Sequence, residues 1–176
     1  MAERPEATVR PVEEAEATDR VARVFDDIKA TKKIDFVPRF WRVLATDPDH
    51  LEATWARLKA TMHPELSGRP ALLDPLTREI IALAVSATNG CPYCVQSHTA
   101  AVRKLGLSAE GLGQVMAVVA LFNATNAIAQ GYQIEPDVFP PLESWQGTAS
   151  RETTDTNGDP ARPGAGSIPA SSGGDR

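Results

Sequence analysis

Residues 74–106 read DPLTREIIALAVSATNGCPYCVQSHTAAVRKLG and predict two helices joined by a tight turn. Asp74 and Pro75 are a typical helix start, because aspartate caps the first turn and proline fits the first helical position. The Asn-Gly pair at 89–90 ends this helix, and a second one follows over about 91–105. A connection this short places the two helices side by side in opposite directions.

Apolar residues recur with helical spacing in the rest of the chain as well, and no stretch alternates as a strand does. The sequence therefore predicts an all-α fold of about six helices with a helix-hairpin core that carries the CxxC motif, and no sheet. The other four predicted helices cover about 21–28, 37–44, 48–62 and 108–129. The last of these is apolar nearly all round, so we expect it to be either central or covered by another subunit.

Composition divides the chain into three parts. Residues 17–146 form the predicted helical domain. Residues 1–16 are rich in Glu, Ala, Pro and Arg, and residues 147–176 are rich in Gly, Pro, Ser and Thr. Segments of this kind bury too little apolar surface to offset the entropy of ordering, so we expect both ends to be disordered tails.

Charge and hydropathy argue against several partners. The formal net charge is −5 and there is no run of Lys or Arg, which argues against nucleic acid. No uninterrupted apolar run approaches the roughly 18–20 residues that a membrane helix needs. The N-terminus is polar and lacks the apolar region of a secretory signal, so we expect a cytoplasmic protein. In that compartment paired cysteines more often do redox or metal chemistry than structural bridging.

The two cysteines and a histidine of the second helix share one face. At about 100° per residue, Cys91 and Cys94 fall within roughly 40° of His98, on the apolar, inward side. With the turn near residue 90, Glu79 on the preceding helix is offset from His98 by roughly 4.5 Å along the axis. A carboxylate at a half-buried position needs a partner. We therefore expect Glu79 to hydrogen-bond His98.

This set of residues suits thiol chemistry. The thiolate is the nucleophile, histidine can take the thiol proton, and a carboxylate fixes the tautomer of the histidine. Two thiols one turn apart can close a disulfide after one is oxidised to a sulfenic acid. The helix dipole alone favours Cys91 as the thiolate. We predict a catalytic set of Cys94, Cys91, His98 and Glu79, with no cofactor and no metal.

The sequence REIIALAVSATNGCPYCVQSH resembles the core of the AhpD-like alkylhydroperoxidases, the peroxidase-related branch of the carboxymuconolactone decarboxylase superfamily. The shared signature is Glu, eleven residues, Cys-x-x-Cys, three residues, His, and Glu79, Cys91, Cys94 and His98 match it. The resemblance implies a helical homotrimer or homohexamer. It also implies an antioxidant, peroxiredoxin-type alkylhydroperoxidase that reduces organic hydroperoxides.

The same resemblance implies roles for these residues. Cys94 is the peroxidatic cysteine, Cys91 resolves it to a disulfide, and Glu79 and His98 relay the proton through water. Tyr93 stands where the best-known members carry a histidine, which removes one possible relay group. Those members are regenerated by lipoylated proteins, so the reductant expected here is a thiol or lipoyl-type protein.

Other functions fit the same residues. The thiols, imidazole and carboxylate could hold zinc, or serve as a thiol-disulfide switch on an oligomeric scaffold. A thioredoxin-type exchanger is disfavoured because a helix rather than a strand precedes the motif, and two inert buried cysteines would not explain the co-facial histidine. A carboxymuconolactone decarboxylase-type enzyme is disfavoured by the CxxC motif. Arg78 also lies about 100° around the helix from Glu79 and so off the site face.

Overall fold

The computed structural model describes residues 7–139, which divide into two units between Gln133 and Ile134. The described part of the second unit, 134–139, carries no helix or strand. The described part of the first unit contains six α-helices and no strand, which confirms the predicted all-α fold. The helices are α1 Asp19–Lys32, α2 Arg39–Leu44, α3 Pro48–Met62, α4 Pro75–Thr88, α5 Pro92–Lys104 and α6 Ala109–Gly131.

Helices α1 to α3 enclose the main hydrophobic core. Trp41 and Trp55 meet edge to face with ring centroids 5.2 Å apart, a geometry that aromatic pairs prefer. The buried set is Val21, Phe25, Ile28, Val37, Trp41, Ala45, Leu51 and Trp55. Asp47 caps α3 by accepting hydrogen bonds from two backbone N–H groups, at 3.1 and 3.2 Å.

The segment before α1 is held to this core by polar contacts. The carboxylate of Glu14 accepts from the backbone N–H of Val37 at 2.8 Å and from Lys29 at 2.9 Å. The backbone N–H of Val12 donates to the carbonyl of Arg42 at 2.9 Å. Residues 12–16 fall inside the predicted tail 1–16, and their contacts extend the packed unit to the N-terminal side of residue 17. The predicted boundary at 146 and the tail 147–176 lie outside the described residues.

Helices α4 and α5 pack against each other as the predicted antiparallel hairpin, and each contributes one fully buried apolar residue, Leu83 and Val102. Asp74 caps α4 by accepting from the backbone N–H of Thr77 at 3.0 Å. At the other end, Gly90 takes a φ of +64°, which glycine adopts without strain. The backbone N–H of Cys91 then reaches the carbonyl of Ser86 at 3.0 Å. This bond closes a Schellman turn and fixes where the next helix begins.

Much of helix α6 is exposed, and the other described residues leave it uncovered. Its first half is partly buried, but from Ala120 to Gly131 every residue is exposed, with Leu121 at 58% and Phe122 at 57%. Among the described residues α6 is therefore not a central helix, and its cover by another subunit stays a prediction.

The same helix is, by length and composition alone, the one helix within residues 7–139 able to cross a membrane. The sequence predicted no such segment, because it contains no uninterrupted apolar run of that length. The mean hydropathy of α6 is nevertheless high in spite of polar residues such as Asn123 and Gln130.

Candidate active site

The two cysteines lie at the start of α5, directly after the Schellman turn. Cys91 is the N-cap residue of α5, and its Sγ accepts a hydrogen bond from the backbone N–H of Cys94 at 3.3 Å. The two Sγ atoms are within disulfide-bonding distance, and the Cα atoms are 5.4 Å apart, as in ordinary disulfides. Both residues are half-buried, so the sulfur pair is held by backbone geometry while it stays close to the surface.

Glu79 on α4 and His98 on α5 form the predicted hydrogen bond across the hairpin. Nδ1 of His98 lies 2.7 Å from Oε2 of Glu79, and the two side chains are 27% and 19% exposed. An ionised carboxylate only accepts hydrogen bonds, so Nδ1 carries the proton and donates it. Nε2 is then the nitrogen left with a lone pair.

The helical spacing places His98 closer along the axis of α5 to Cys94 than to Cys91. His98 is four residues after Cys94, a spacing at which side chains on one helix are neighbours. It is seven residues after Cys91, roughly 10 Å along the axis. The structure thus shows the four predicted residues as two pairs, Cys91 with Cys94 and Glu79 with His98, and the helical spacing places Cys94 one turn from His98.

Tyr93, between the cysteines, connects this motif to the start of α2. Its phenolic oxygen accepts from the backbone N–H of Phe40, in the first turn of α2, at 3.2 Å. The two rings also lie near each other, with centroids 6.3 Å apart. The sequence marked Tyr93 only as the replacement of a possible relay group, and nothing in the local pattern identifies Phe40 as its partner.

Lys32, the last residue of α1, is a charged residue on the buried side of that helix. Its side chain is half-buried. Burial lowers the pKa of Lys32, and the carboxylate of Glu79 opposes that shift. A signal was present in the sequence, since Val21, Phe25, Ile28 and Lys32 follow one helical stripe.

Arg78, next to Glu79 on α4, is directed into the segment before its own helix. Its Nη1 donates to the carbonyl of Leu73 at 2.9 Å, and Nη2 lies 3.6 Å from Glu65. It is buried, and its Nε has no partner among the described residues. Within residues 7–139, no three His, Cys, Asp or Glu side chains are grouped so as to hold a metal ion.

Known proteins resemble the part of this chain that contains α3 to α6. Residues 48–134 match the carboxymuconolactone decarboxylase family. The alkyl hydroperoxide reductase AhpD of Gluconacetobacter diazotrophicus is 40% identical over 81 residues, covering 46% of this chain and 44% of that protein. The AhpD of Maricaulis maris is 40% identical over 75 residues, covering 43% and 41%. The crystal structure of the alkylhydroperoxidase AhpD core from Rhodospirillum rubrum has a TM-score of 0.70 and 44% identity, covering 76% of this chain and 96% of that one.

A bundle of helices with a CxxC pair on a helix hairpin defines a class of thiol proteins, and these matches give the class its family. The chain belongs to the AhpD-like alkylhydroperoxidases of the carboxymuconolactone decarboxylase family. The chain covers less than half the length of the two curated AhpD relatives. It covers nearly all of the AhpD core structure.

Proposed function

We propose that this protein is a thiol-dependent peroxidase that reduces organic hydroperoxides, and so acts as an antioxidant. One observation carries the proposal: a cysteine pair at disulfide distance begins the same helix on which His98, bound to Glu79, lies one turn further along. The names of its relatives, alkyl hydroperoxide reductase and alkylhydroperoxidase, support the same class of reaction.

The first chemical step oxidises one cysteine. Nε2 of His98 takes the proton of the Cys94 thiol, directly or through a water molecule, and the thiolate attacks the terminal peroxide oxygen. The S–O bond forms as the O–O bond breaks, so sulfur loses two electrons. The leaving alkoxide takes up a proton and departs as an alcohol, which leaves Cys94 as a sulfenic acid.

The second step closes the disulfide. The sulfur of Cys91 attacks the sulfenic sulfur of Cys94, the S–S bond forms, and the S–O bond breaks to release water. The net reaction converts two thiols and one hydroperoxide into a disulfide, an alcohol and water. An external dithiol, such as the lipoyl group of a partner protein, then returns two electrons and two protons by thiol–disulfide exchange.

The order of attack follows from a competition between two effects. Cys91 caps the helix, and the backbone N–H and the dipole at that position favour its thiolate. Cys94 is one turn from His98, whereas Cys91 is two turns away. A general base must reach the proton that it removes, so we assign the first attack to Cys94 and resolution to Cys91.

We further propose that the protein assembles as a homotrimer or homohexamer through α6. An exposed apolar surface of this length is unusual on a monomer. Assembly of identical copies would bury it without any other partner.

Intact mass spectrometry of the reduced, metal-free protein tests the peroxidase. One equivalent of an organic hydroperoxide should remove two hydrogen atoms from the wild type within seconds to minutes. The chain has two cysteines, so that loss reports one bond. Cys91→Ser should instead gain one oxygen atom that dimedone traps, and Cys94→Ser should stay unchanged.

Other outcomes assign other functions. Oxygen gained by Cys94→Ser and not by Cys91→Ser would reverse the order of attack. A wild type that ignores peroxide but exchanges with a dithiol would be a thiol-disulfide switch. Zinc retained at stoichiometric amounts on the reduced protein would favour the metal-binding alternative.

A further inference from the structure

Ser86 on α4 carries a buried hydroxyl group that the proposed chemistry does not use. The residue is 8% exposed, and its Oγ donates to the carbonyl of Ala82, one turn earlier, at 2.7 Å. A serine hydroxyl has one proton and two lone pairs. Because its proton is bound to the carbonyl of Ala82, this hydroxyl offers lone pairs to any other group that approaches it.

The register of the hairpin places Ser86 opposite Cys91. Away from the turn, Glu79 of α4 meets His98 of α5 at 2.7 Å. Seven residues nearer the turn on each side, α4 carries Ser86 and α5 begins at Cys91. Seven residues are nearly two helical turns, so the face that each helix presents is the same to within roughly 20°. The backbone shows the same pairing, because the N–H of Cys91 donates to the carbonyl of Ser86 at 3.0 Å.

The thiol of Cys91 becomes a hydrogen-bond donor when the sulfur pair is reduced. In the structure the sulfurs of Cys91 and Cys94 are paired, and a disulfide sulfur has no proton to donate. Reduction adds that proton, and a thiol donates weakly to oxygen. The buried oxygen on the residue that Cys91 already contacts through its backbone is Oγ of Ser86.

We propose that Ser86 helps to set the order of attack: in the reduced protein its Oγ accepts a hydrogen bond from the thiol of Cys91 and so keeps that cysteine protonated. A hydrogen bond to the neutral form of a group disfavours its charged form. This bond opposes the helix start, whose N–H groups and dipole favour the thiolate of Cys91. Cys94, one turn from His98, is then the thiol that ionises first. The inference deepens the proposed function and rests on it for the order of attack.

The same hydrogen bond is compatible with the second chemical step. As Cys91 attacks the sulfenic sulfur of Cys94, the S–S bond forms and the S–O bond breaks. The thiol proton that Ser86 held leaves with the sulfenic hydroxyl as water. Ser86 keeps its own proton on the carbonyl of Ala82 throughout, so it gains and loses nothing in the cycle.

The first test measures the thiolate of Cys91 alone and needs no peroxide. In the full chain with Cys94→Ser, Cys91 is the one cysteine left, and its alkylation by iodoacetamide follows the thiolate fraction across pH. Adding Ser86→Ala should move this profile to lower pH by roughly half a unit to one unit, the size of one net hydrogen bond. Ser86→Thr keeps the hydroxyl and should keep the profile. Ser97→Ala removes a hydroxyl from an exposed position of α5 and should leave the profile unchanged.

The variants share the other charged and titratable groups on the surrounding elements, so these groups do not cause a difference between them. They are Arg78 and Glu79 on α4, Tyr93 and His98 in the first two turns of α5, Arg39 and Arg42 on α2, and Glu110 on α6.

Other alkylation results would overturn the inference. Equal profiles for Ser86→Ala and Ser97→Ala would mean that the hydroxyl does not act on Cys91. A shift to higher pH in Ser86→Ala would mean that the hydroxyl donates to the thiolate instead. A serine with a structural role alone would lower the melting temperature and leave the profile in place. We expect the melting temperature of Ser86→Ala to change little, because the backbone bond of position 86 remains and alanine is a strong helix former.

The second test uses peroxide and depends on the proposed function. With one equivalent of an organic hydroperoxide, the double variant Ser86→Ala, Cys94→Ser should gain one dimedone-trapped oxygen atom at Cys91 roughly threefold or more faster than Cys94→Ser. If the wild type turns over peroxide and the two variants react alike, Ser86 does not set the order of attack and the inference is overturned. If the wild type itself ignores peroxide, the peroxidase proposal falls, and the alkylation profile still decides whether Ser86 acts on Cys91.

Discussion

The hydrogen bond between His98 and Glu79 decides which ring nitrogen is free to accept a proton. Because Nδ1 donates to the carboxylate at 2.7 Å, Nε2 is the available base, and the negative charge of Glu79 supports the imidazolium that forms. An amide in place of Glu79 would keep an acceptor oxygen but lose that charge. The two functions of the carboxylate, orientation and charge, can therefore be separated by substitution.

We expect Glu79→Gln to slow peroxide-driven disulfide formation by about tenfold to a hundredfold, a loss comparable to that for groups that orient a functional histidine. His98→Gln removes the base itself and should cost about a hundredfold or more. Single-turnover loss of free thiols measures both rates, with Ser97→Ala, an exposed neighbour on α5, as control. A Glu79→Gln rate within twofold of the wild type would mean that the charge of Glu79 is not used.

The hydroxyl of Tyr93 is the acceptor for the backbone N–H of Phe40, and this assignment makes a second prediction. Tyr93→Phe keeps the ring contact but leaves that N–H without its partner. We expect it to lower the free energy of unfolding by about 1 kcal/mol and to leave the single-turnover rate within about twofold. Urea denaturation of the reduced proteins gives the first quantity. A large loss of rate without loss of stability would instead place the hydroxyl in the chemistry.

The four residues of the predicted site could be found from sequence because they lie on one hairpin. Helical rotation put Cys94 and His98 on one face, and the short turn after Asn89 fixed which residue of α4 lies opposite. Lys32 and Tyr93 could not be assigned in that way. The partner of Tyr93, Phe40, lies on a helix distant in sequence, and periodicity tells which face is buried but not what it meets.

At the scale of helices, a partly buried ion pair between Asp27 and Lys59 joins α1 to α3. Asp27 of α1 accepts from Lys59 and from Nε1 of Trp55, each at 2.7 Å. Partial burial raises the pKa of Asp27, but these hydrogen bonds outweigh burial and hold the pKa below its usual range. The ionised form is thus bound more tightly in the folded protein than in the unfolded chain.

The sign of the pH effect follows from this shift. A carboxyl group with a lowered pKa in the folded state adds stability above its unfolded pKa of about 4, and that stability is lost as the pH falls through the folded value. Thermal unfolding should therefore show a melting temperature that falls more steeply below about pH 4 in the wild type than in Asp27→Asn. The control Asp35→Asn, in the exposed segment before α2, should keep the wild-type slope. Parallel curves for wild type and Asp27→Asn would contradict this role.

The helices themselves were predictable for local reasons. The predicted Asp-Pro starts at 47–48 and 74–75 begin α3 and α4, and both aspartates cap their helices. The glycine at 90 sits in the left-handed region that ends α4. The contacts of residues 12–16 were not predictable, because that segment is polar and is anchored by single hydrogen bonds such as that between Glu14 and Val37. Such anchors leave no periodic pattern.

For the whole molecule, the described residues leave much of the apolar surface of α6 exposed. Sequence showed that the helix lacks a polar face, but not whether the chain itself would cover it. The structure leaves its second half, 120–131, exposed. A membrane could cover the helix, since its length and hydropathy permit it. The N-cap at Ser108, which accepts from the backbone N–H of Gly111 at 3.0 Å, and the repeated Asn and Gln residues fit a subunit interface better, because in lipid each such group needs a partner.

A charge placed on this surface should separate the two kinds of cover. In a subunit interface, Leu121→Glu would bury an unpaired carboxylate in every copy, so the assembly should dissociate to monomers at micromolar concentration. Size-exclusion chromatography with light scattering measures the mass, and Gln114→Glu, at an exposed polar position on the same helix, should leave it unchanged. Flotation with lipid vesicles is run in parallel. A wild type that is monomeric without lipid and floats with vesicles would refute the interface and assign α6 to a membrane. A trimeric or hexameric wild type that Leu121→Glu dissociates would establish that copies of this chain cover one another, and would make the neighbouring hairpin part of an assembled enzyme.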